Sequence, residues 1–406
     1  MHQTVYRAEP RYLVVALFTV SMIAASLIVV GVGTLVPHIA VVFPDARTHA
    51  GIFVTMLFLG SLLTTAVAGA LTDRFGDKAV LLWSGIAMSI SLIASALVPS
   101  LTWMLCWFFV YGIAFAAVVP AGSHAILFFF TRKERGFAMG LRQTGIPLGG
   151  FLGALLFTTV GSRYGYAWAL IAAGLIVGVV SVICSALYLE PAELQGERIP
   201  TRALLTEMIE IGREPRLLLL TAGSMALICP QMVLIGFFPI TLIDRAHFSI
   251  ATASSVFAIS QVAAVAGRLF WGWLSDRYFG GNRVVALLIV AVLTGGAAFA
   301  VGTLNASSTI PIACAVAIVL GFAGEGWFGL SVCAMAEIGG EEHAGSALGF
   351  GLTWVYAMAV VAPVGFNALV DNAGYPFAWT ATAVISCAAV LPLAMLMRLR
   401  VSARAT

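Results

Sequence analysis

Along this chain, largely apolar runs of about 20 residues or more alternate with short polar breaks, which is the length a helix needs to cross a bilayer. Twelve such runs are read: 12–36, 50–71, 79–98, 102–129, 137–160, 166–189, 216–242, 250–274, 284–303, 310–336, 344–370 and 376–397. They are continuous. Membrane strands would instead appear as blocks of about ten residues with alternating polarity, so each run is expected to be a helix. The first run follows Arg7 and Arg11 and is too long for a signal-peptide core, so it is expected to remain as the first crossing. The stretch 190–215 is dense in charge and divides the runs six and six. The expected fold is an all-α membrane protein of twelve transmembrane helices in two pseudo-symmetric six-helix bundles. These are residues 1–189 and 216–406, joined by a cytoplasmic linker over 190–215 with an amphipathic run, Leu204 to Ile211.

Composition supports the same reading. Of 406 residues, 61% are hydrophobic and 10% charged, whereas about a quarter of an ordinary soluble domain is charged. The net charge of +3 gives no argument for a nucleic-acid partner. Placement says more than the total: with the N-terminus inside, 16 of the 21 Lys and Arg fall in cytoplasmic segments and three (Arg47, Arg163, Arg245) in outer loops. The expectation is a multi-pass protein of the plasma (bacterial inner) membrane with both termini cytoplasmic, in contact with the lipid bilayer and working as a monomer. The six cysteines stand singly, with no CxxC pair and no metal-ligand spacing. No P-loop, HExxH or GxSxG is present, so neither an enzyme nor a cofactor is expected, and transport would draw on ion or substrate gradients.

The halves repeat each other. Gly69-Ala-Leu-Thr-Asp73-Arg74-Phe-Gly76 closes the second run, and Gly272-Trp-Leu-Ser-Asp276-Arg277-Tyr-Phe-Gly280 closes the eighth, 203 residues later. At an offset of 209, Gly112, Gly136, Ala138 and Gly140 fall on Gly321, Gly345, Ala347 and Gly349. Duplicated six-helix halves with a site near the midplane are a transporter architecture.

On these residues the chain resembles the major facilitator superfamily of secondary transporters over essentially its whole length. Gly69-x-x-x-Asp73-Arg74-x-Gly76-x-Lys78 is similar to the family signature between helices 2 and 3; Asp77 departs from it, standing where the family usually has a cation. The resemblance implies a conformational latch at Asp73 and Arg74, repeated at Asp276 and Arg277. An aspartate there can cap the positive end of a neighbouring helix. A cluster of charges that merely fixes topology is the alternative. Gly145-Ile-Pro147-Leu-Gly149-Gly150 is similar to the family's helix-5 signature. Its glycines recur every four residues and form a smooth stripe, read either as structural packing or as a seam on which the halves rock. The helix-4 arginine of some proton-coupled members is missing, since Trp107 and Phe108 precede Gly112.

Charge inside the apolar runs is costly and therefore points to function. Three such residues stand out: Arg142, Arg268 and Glu325. Two arginines against one glutamate leave a positive excess that an anionic substrate would neutralise, and a guanidinium fork suits a carboxylate. Snorkelling to the headgroups is the competing reading for each arginine. Gln261 lies seven residues before Arg268, on the same face. Burial and a neighbouring guanidinium act oppositely on a carboxyl group's hold on its proton, so Glu325 is expected to couple protons, the alternative being a permanent ion pair. His124 is a second candidate for proton transfer, or else a hydrogen-bonded bundle residue. Gln231 and Trp327 are expected to line the cavity, although membrane aromatics also pack or face lipid.

The sequence thus points to proton-coupled transport of a small organic anion, a mono- or dicarboxylate, by alternating access, resembling the monocarboxylate and organic-anion members of the superfamily. Efflux of amphipathic compounds and proton-independent anion exchange are the alternatives.

Overall fold

The computed structural model describes residues 10–44, 51–191 and 210–405. Residues 192–209, which hold most of the expected linker helix at Leu204 to Ile211, lie outside the described residues. The elements are α1 (Pro10–Ala40), α2 (Gly51–Leu97), α3 (Leu101–Phe115), α4 (Val118–Phe129), α5 (Arg135–Gln143), α6 (Gly145–Tyr164), α7 (Tyr166–Leu187), α8 (Pro215–Ala246), α9 (Ile250–Arg277), α10 (Arg283–Thr303), α11 (Ile310–Gly324), α12 (Phe328–Ala388) and α13 (Val390–Ala405).

Among the described residues, ten helical stretches are long and apolar enough to cross a membrane. Two of them are each twice too long for one crossing. At 1.5 Å per residue, Ile52–Leu97 with 46 residues and His343–Leu399 with 57 would run to about 70 and 85 Å, against a hydrocarbon core of about 30 Å. Glycines break them. Gly76 (φ 79°) turns the chain inside the first and Gly374 (φ 79°) inside the second, while Gly340 (φ 73°) closes the stretch Ile310–Gly340; glycine takes this left-handed region without a Cβ penalty. With one turn in each of these two, the ten stretches make twelve crossings.

Other crossings are interrupted inside the apolar run. The stretch 101–129 is broken between α3 and α4, and 135–164 between α5 and α6. Proline explains both. Pro120 has no amide to offer the carbonyl of Ala116, and Pro147 none for Gln143, so in each case the helix is released four residues earlier. The break between α11 and α12 contains Glu325 between Gly324 and Gly326, each a poor helix former. Ala116 and Glu325 are separated by 209 residues, the offset already read from the glycines.

The chain gathers into two compact units. The first comprises residues 1–131, 141–211 and 339–353; the second, 132–140, 212–338 and 354–406. In the first unit α6 lies on α1, with its glycines against the α1 backbone. A Cβ on Gly149 or Gly153 would collide with the carbonyl of Ile23 or Leu27, and one on Gly145 with Met22. Both helices of this seam belong to the first unit. Pro147 stands in the first turn of α6, where its missing amide costs no helical bond of α6 itself. In the second unit, Leu234, Phe238, Leu242, Val256, Leu320, Phe366 and Trp379 form a buried core, with the Trp379 indole donating to Thr241 Oγ1 at 3.0 Å.

Candidate substrate and coupling site

In the first unit, Asp73 at the end of α2's first crossing accepts from the amides of Gly345 (2.8 Å) and Ser346 (2.7 Å) and from the Ser346 hydroxyl (2.6 Å). Those amides follow the Gly340 turn, where a helix restarts and its first N–H groups lack intrahelical acceptors. In the second unit, Asp276 accepts from Gly136 (3.2 Å) and Phe137 (2.7 Å) in the first turn of α5. The positions correspond at the two offsets of the repeat. Backbones touch at both places, Gly69 against Gly345 and Gly272 against Gly136, with no room for a Cβ. These two carboxylates therefore stand as helix caps in a duplicated arrangement.

The cations adjacent to them behave differently. Arg74 stacks over Phe75 at 5.0 Å and Arg277 is exposed. The guanidinium that meets Asp276 is instead Arg283, fully buried, at the start of α10. It also donates to Ser275 Oγ (3.0 Å), to the Arg132 carbonyl (2.6 Å) and to Glu337 Oε1 (3.1 Å). Sequence reasoning counted Arg283 as one more topogenic cation. Its seven-residue spacing from Asp276, across the Gly280–Gly281 turn, was the available signal.

Deeper in the second unit, α9 and α11 approach backbone to backbone. A Cβ on Gly321 would collide with the Ser260 carbonyl, and one on Gly267 with that of Phe322. This contact joins three of the sequence-selected residues. Gln261 Nε2 donates to Glu325 Oε1 at 2.7 Å, and Arg268 Nη2 lies 4.0 Å from Glu325 Oε2. Arg268 Nε also reaches the Glu325 backbone carbonyl at 3.4 Å, at the helix break. Arg268 and Glu325 are each 2% exposed, so this guanidinium does not snorkel. The pair is formally neutral, its ionic contact is long, and one carboxylate oxygen is held by a neutral amide.

Two further residues lie on facing helices of the same unit. Ser224 on α8 and Ser331 on α12 share a 2.5 Å hydrogen bond. Gln231 is two turns along from Ser224, and Trp327 one turn back from Ser331. Gln231 Oε1 and Trp327 Nε1 are buried, and neither has a hydrogen-bond partner among the described residues. Buried polar groups ordinarily find a partner, and these two atoms retain the capacity for one.

Arg142 belongs to the first unit and is fully buried at the end of α5. Its Nη1 donates to the Val119 carbonyl (3.1 Å) and to Ser123 Oγ (2.9 Å), and its Nη2 donates to the Val118 carbonyl. His124 lies on α4, and its side chain falls outside the described residues.

Duplicated bundles of broken apolar helices, with ionisable groups buried at one break, define a multi-pass membrane transporter. The sequence profile of the Major Facilitator Superfamily matches residues 13–363 and 220–406, and the chain belongs to that family. An uncharacterized MFS-type transporter of Mycobacterium tuberculosis is 29% identical over 366 residues, 89% of this chain and 79% of the relative. A fujikurins efflux protein of Gibberella fujikuroi is 28% identical over 258 residues, 63% of this chain and 53% of that protein. The crystal structure of the human organic anion transporter MFSD10 superimposes with a TM-score of 0.76 at 15% identity, covering 95% of this chain and all (100%) of that one. That likeness is one of fold. Members of this family are transporters and not enzymes.

Proposed function

We propose that the protein is a symporter of protons and a small organic anion, a mono- or dicarboxylate, working as a monomer in the bacterial inner membrane with both termini cytoplasmic. The observation that carries this reading is the buried Gln261–Glu325–Arg268 triad. With Glu325 ionised, Arg268 already has its counter-ion. When Glu325 takes a proton, Arg268 loses that counter-charge in a low dielectric, and the carboxylate of the substrate supplies another. Proton and anion thus load together, and with a monocarboxylate the site stays neutral throughout. Gln261 holds the Glu325 carboxyl in both states, since its amide both donates and accepts. Gln231 and Trp327 would give the rest of the substrate one acceptor and one donor, while Asp73, Asp276 and their helix partners serve as latches of the alternating cycle.

Proteoliposomes test this. An inward proton gradient should drive electroneutral monocarboxylate accumulation, which Glu325→Gln abolishes while leaving counterflow intact. Full gradient-driven accumulation in Glu325→Gln would end the coupling role. The fujikurins efflux relative supports a second reading, export of amphipathic compounds. It predicts dye extrusion from the parent protein that carboxylates do not inhibit.

A further inference from the structure

We propose that Arg142 is a positioning residue, a brace on the broken helix α3–α4, and that the transported anion does not bind to it. The argument begins with the two breaks. Pro120 frees the carbonyl of Ala116, and at the joint between α3 and α4 the turn tightens, with Ala117 N to Ala114 O at 3.3 Å. Such a joint bends easily unless something spans it or grips the segment beyond. Arg142 grips that segment. Its two terminal nitrogens reach successive carbonyls of the first turn of α4, Val118 and Val119, and the Ser123 hydroxyl one turn on. That hydroxyl donates in turn to the Val119 carbonyl at 2.7 Å, closing a small ring of bonds.

The socket is cut for this side chain. Gly122 faces the guanidinium so closely that a Cβ there would collide with Nε and Cζ of Arg142, and the Phe18 ring closes the other side at 2.7 Å from the same point. A ligand arginine has to exchange partners in each cycle. Here an exchange would strip buried carbonyls of their donors, and the planar fork is already matched to them.

Position along the chain gives the brace its purpose. Residues 132–140 belong to the second unit and residue 141 onward to the first. Helix α5 therefore starts under the cap of Asp276 and ends with Arg142 anchored in α4. Between these anchorages, Gly140 lies on the Arg268 carbonyl without room for a Cβ. A loosened brace would leave the α3–α4 joint to bend as the carrier cycles. The assignment leaves Arg268 as the arginine for the anion in the reading above, and it stands or falls independently of that reading.

The test uses the full chain in nanodiscs and proteoliposomes, with Arg142→Gln, Arg142→Lys, Gly122→Ala and the Gly122→Ala/Arg142→Gln double variant. Hydrogen exchange of the peptide spanning 116–130 needs no ligand. It should speed up about tenfold or more in Arg142→Gln and in Gly122→Ala, no further in the double variant, and less in Arg142→Lys, which keeps one donor group. Thermal shifts with acetate, lactate, succinate and benzoate should keep the parent's Kd within about twofold in all four. Uptake of whichever probe shifts the parent should keep its KM while the maximal rate falls about tenfold. Unchanged exchange in Arg142→Gln overturns the brace. So does loss of the carboxylate shift in Arg142→Gln but not in Gly122→Ala, which would make the arginine a ligand. If no carboxylate shifts the parent, the substrate reading fails and the exchange result still decides the brace. Should Arg142→Gln not fold, Gly122→Ala and Arg142→Lys carry the same comparison.

Discussion

Asp276 and Arg283, seven residues apart across the Gly280–Gly281 turn, form a buried ion pair on the same carboxylate that caps α5. Asp73, its counterpart in the repeat, satisfies two amides and the Ser346 hydroxyl. The two caps are alike in geometry and differ in what their removal would leave behind.

Asp73→Asn should cost about 1 kcal/mol, the loss of a cap. Asp276→Asn should cost about 3–5 kcal/mol, because it also strips a buried guanidinium of one of its acids. Thermal denaturation of the two purified variants in one detergent measures the difference. Equal losses would show that Arg283 is served well enough by Glu337 alone.

The coupling pair predicts opposite effects on binding from its two members. Arg268→Gln should weaken carboxylate binding about tenfold or more, the value of a charge-assisted bond of about 1.5–3 kcal/mol. Glu325→Gln should instead bind at least as tightly as the parent, since it fixes the neutral form in which no Glu325 carboxylate competes with the substrate for Arg268. The pH dependence follows in sign: parent affinity rises as pH falls and Glu325 fills with protons, while Glu325→Gln should be flat. Calorimetry across the pH range distinguishes the three proteins. A steep pH profile in Glu325→Gln would move the titrating group elsewhere.

Close helix approach makes a third contrast. Gly321→Ala places a Cβ against the Ser260 carbonyl and should cost about 1–3 kcal/mol, parting α9 from α11 and with them Gln261 from Glu325. Gly296→Ala, where nothing lies within 4 Å, should be neutral or stabilise by about 0.4–1 kcal/mol. Melting temperatures of both variants, with carboxylate affinity of the first, give the reading.

Much of this was legible because membrane sequence carries few signals and each is strong. Gln261 and Arg268 share a face by their spacing, Glu325 stands out as charge in an apolar run, and Asp73 and Asp276 announce themselves by repetition. What stayed hidden is what periodicity cannot supply. A stripe such as Gly145, Gly149 and Gly153 says that another backbone comes close and is silent on which; the partner is α1. The charge excess in the spans pointed to Arg142 without revealing that carbonyls at a proline break lay within its reach. Arg283 was hidden by its own usefulness as a topology marker, since loop cations are counted for number and seldom asked where they point. Gly76 and Gly374 lie in polar breaks that the twelve runs already left open; what the structure adds is that helix continues on both sides of each turn.

Each half of the chain lends a short piece to the other: residues 132–140 to the second unit and 339–353 to the first. A gene fragment ending at the linker would therefore encode a body with a hole in it. Asp73 would face the vacancy left by Gly345 and Ser346, and the complementary fragment would lack the amides of Gly136 and Phe137. The ancestral duplication, once fused, made its two copies mutually dependent, so a split carrier should recover only when both fragments are made in the same membrane.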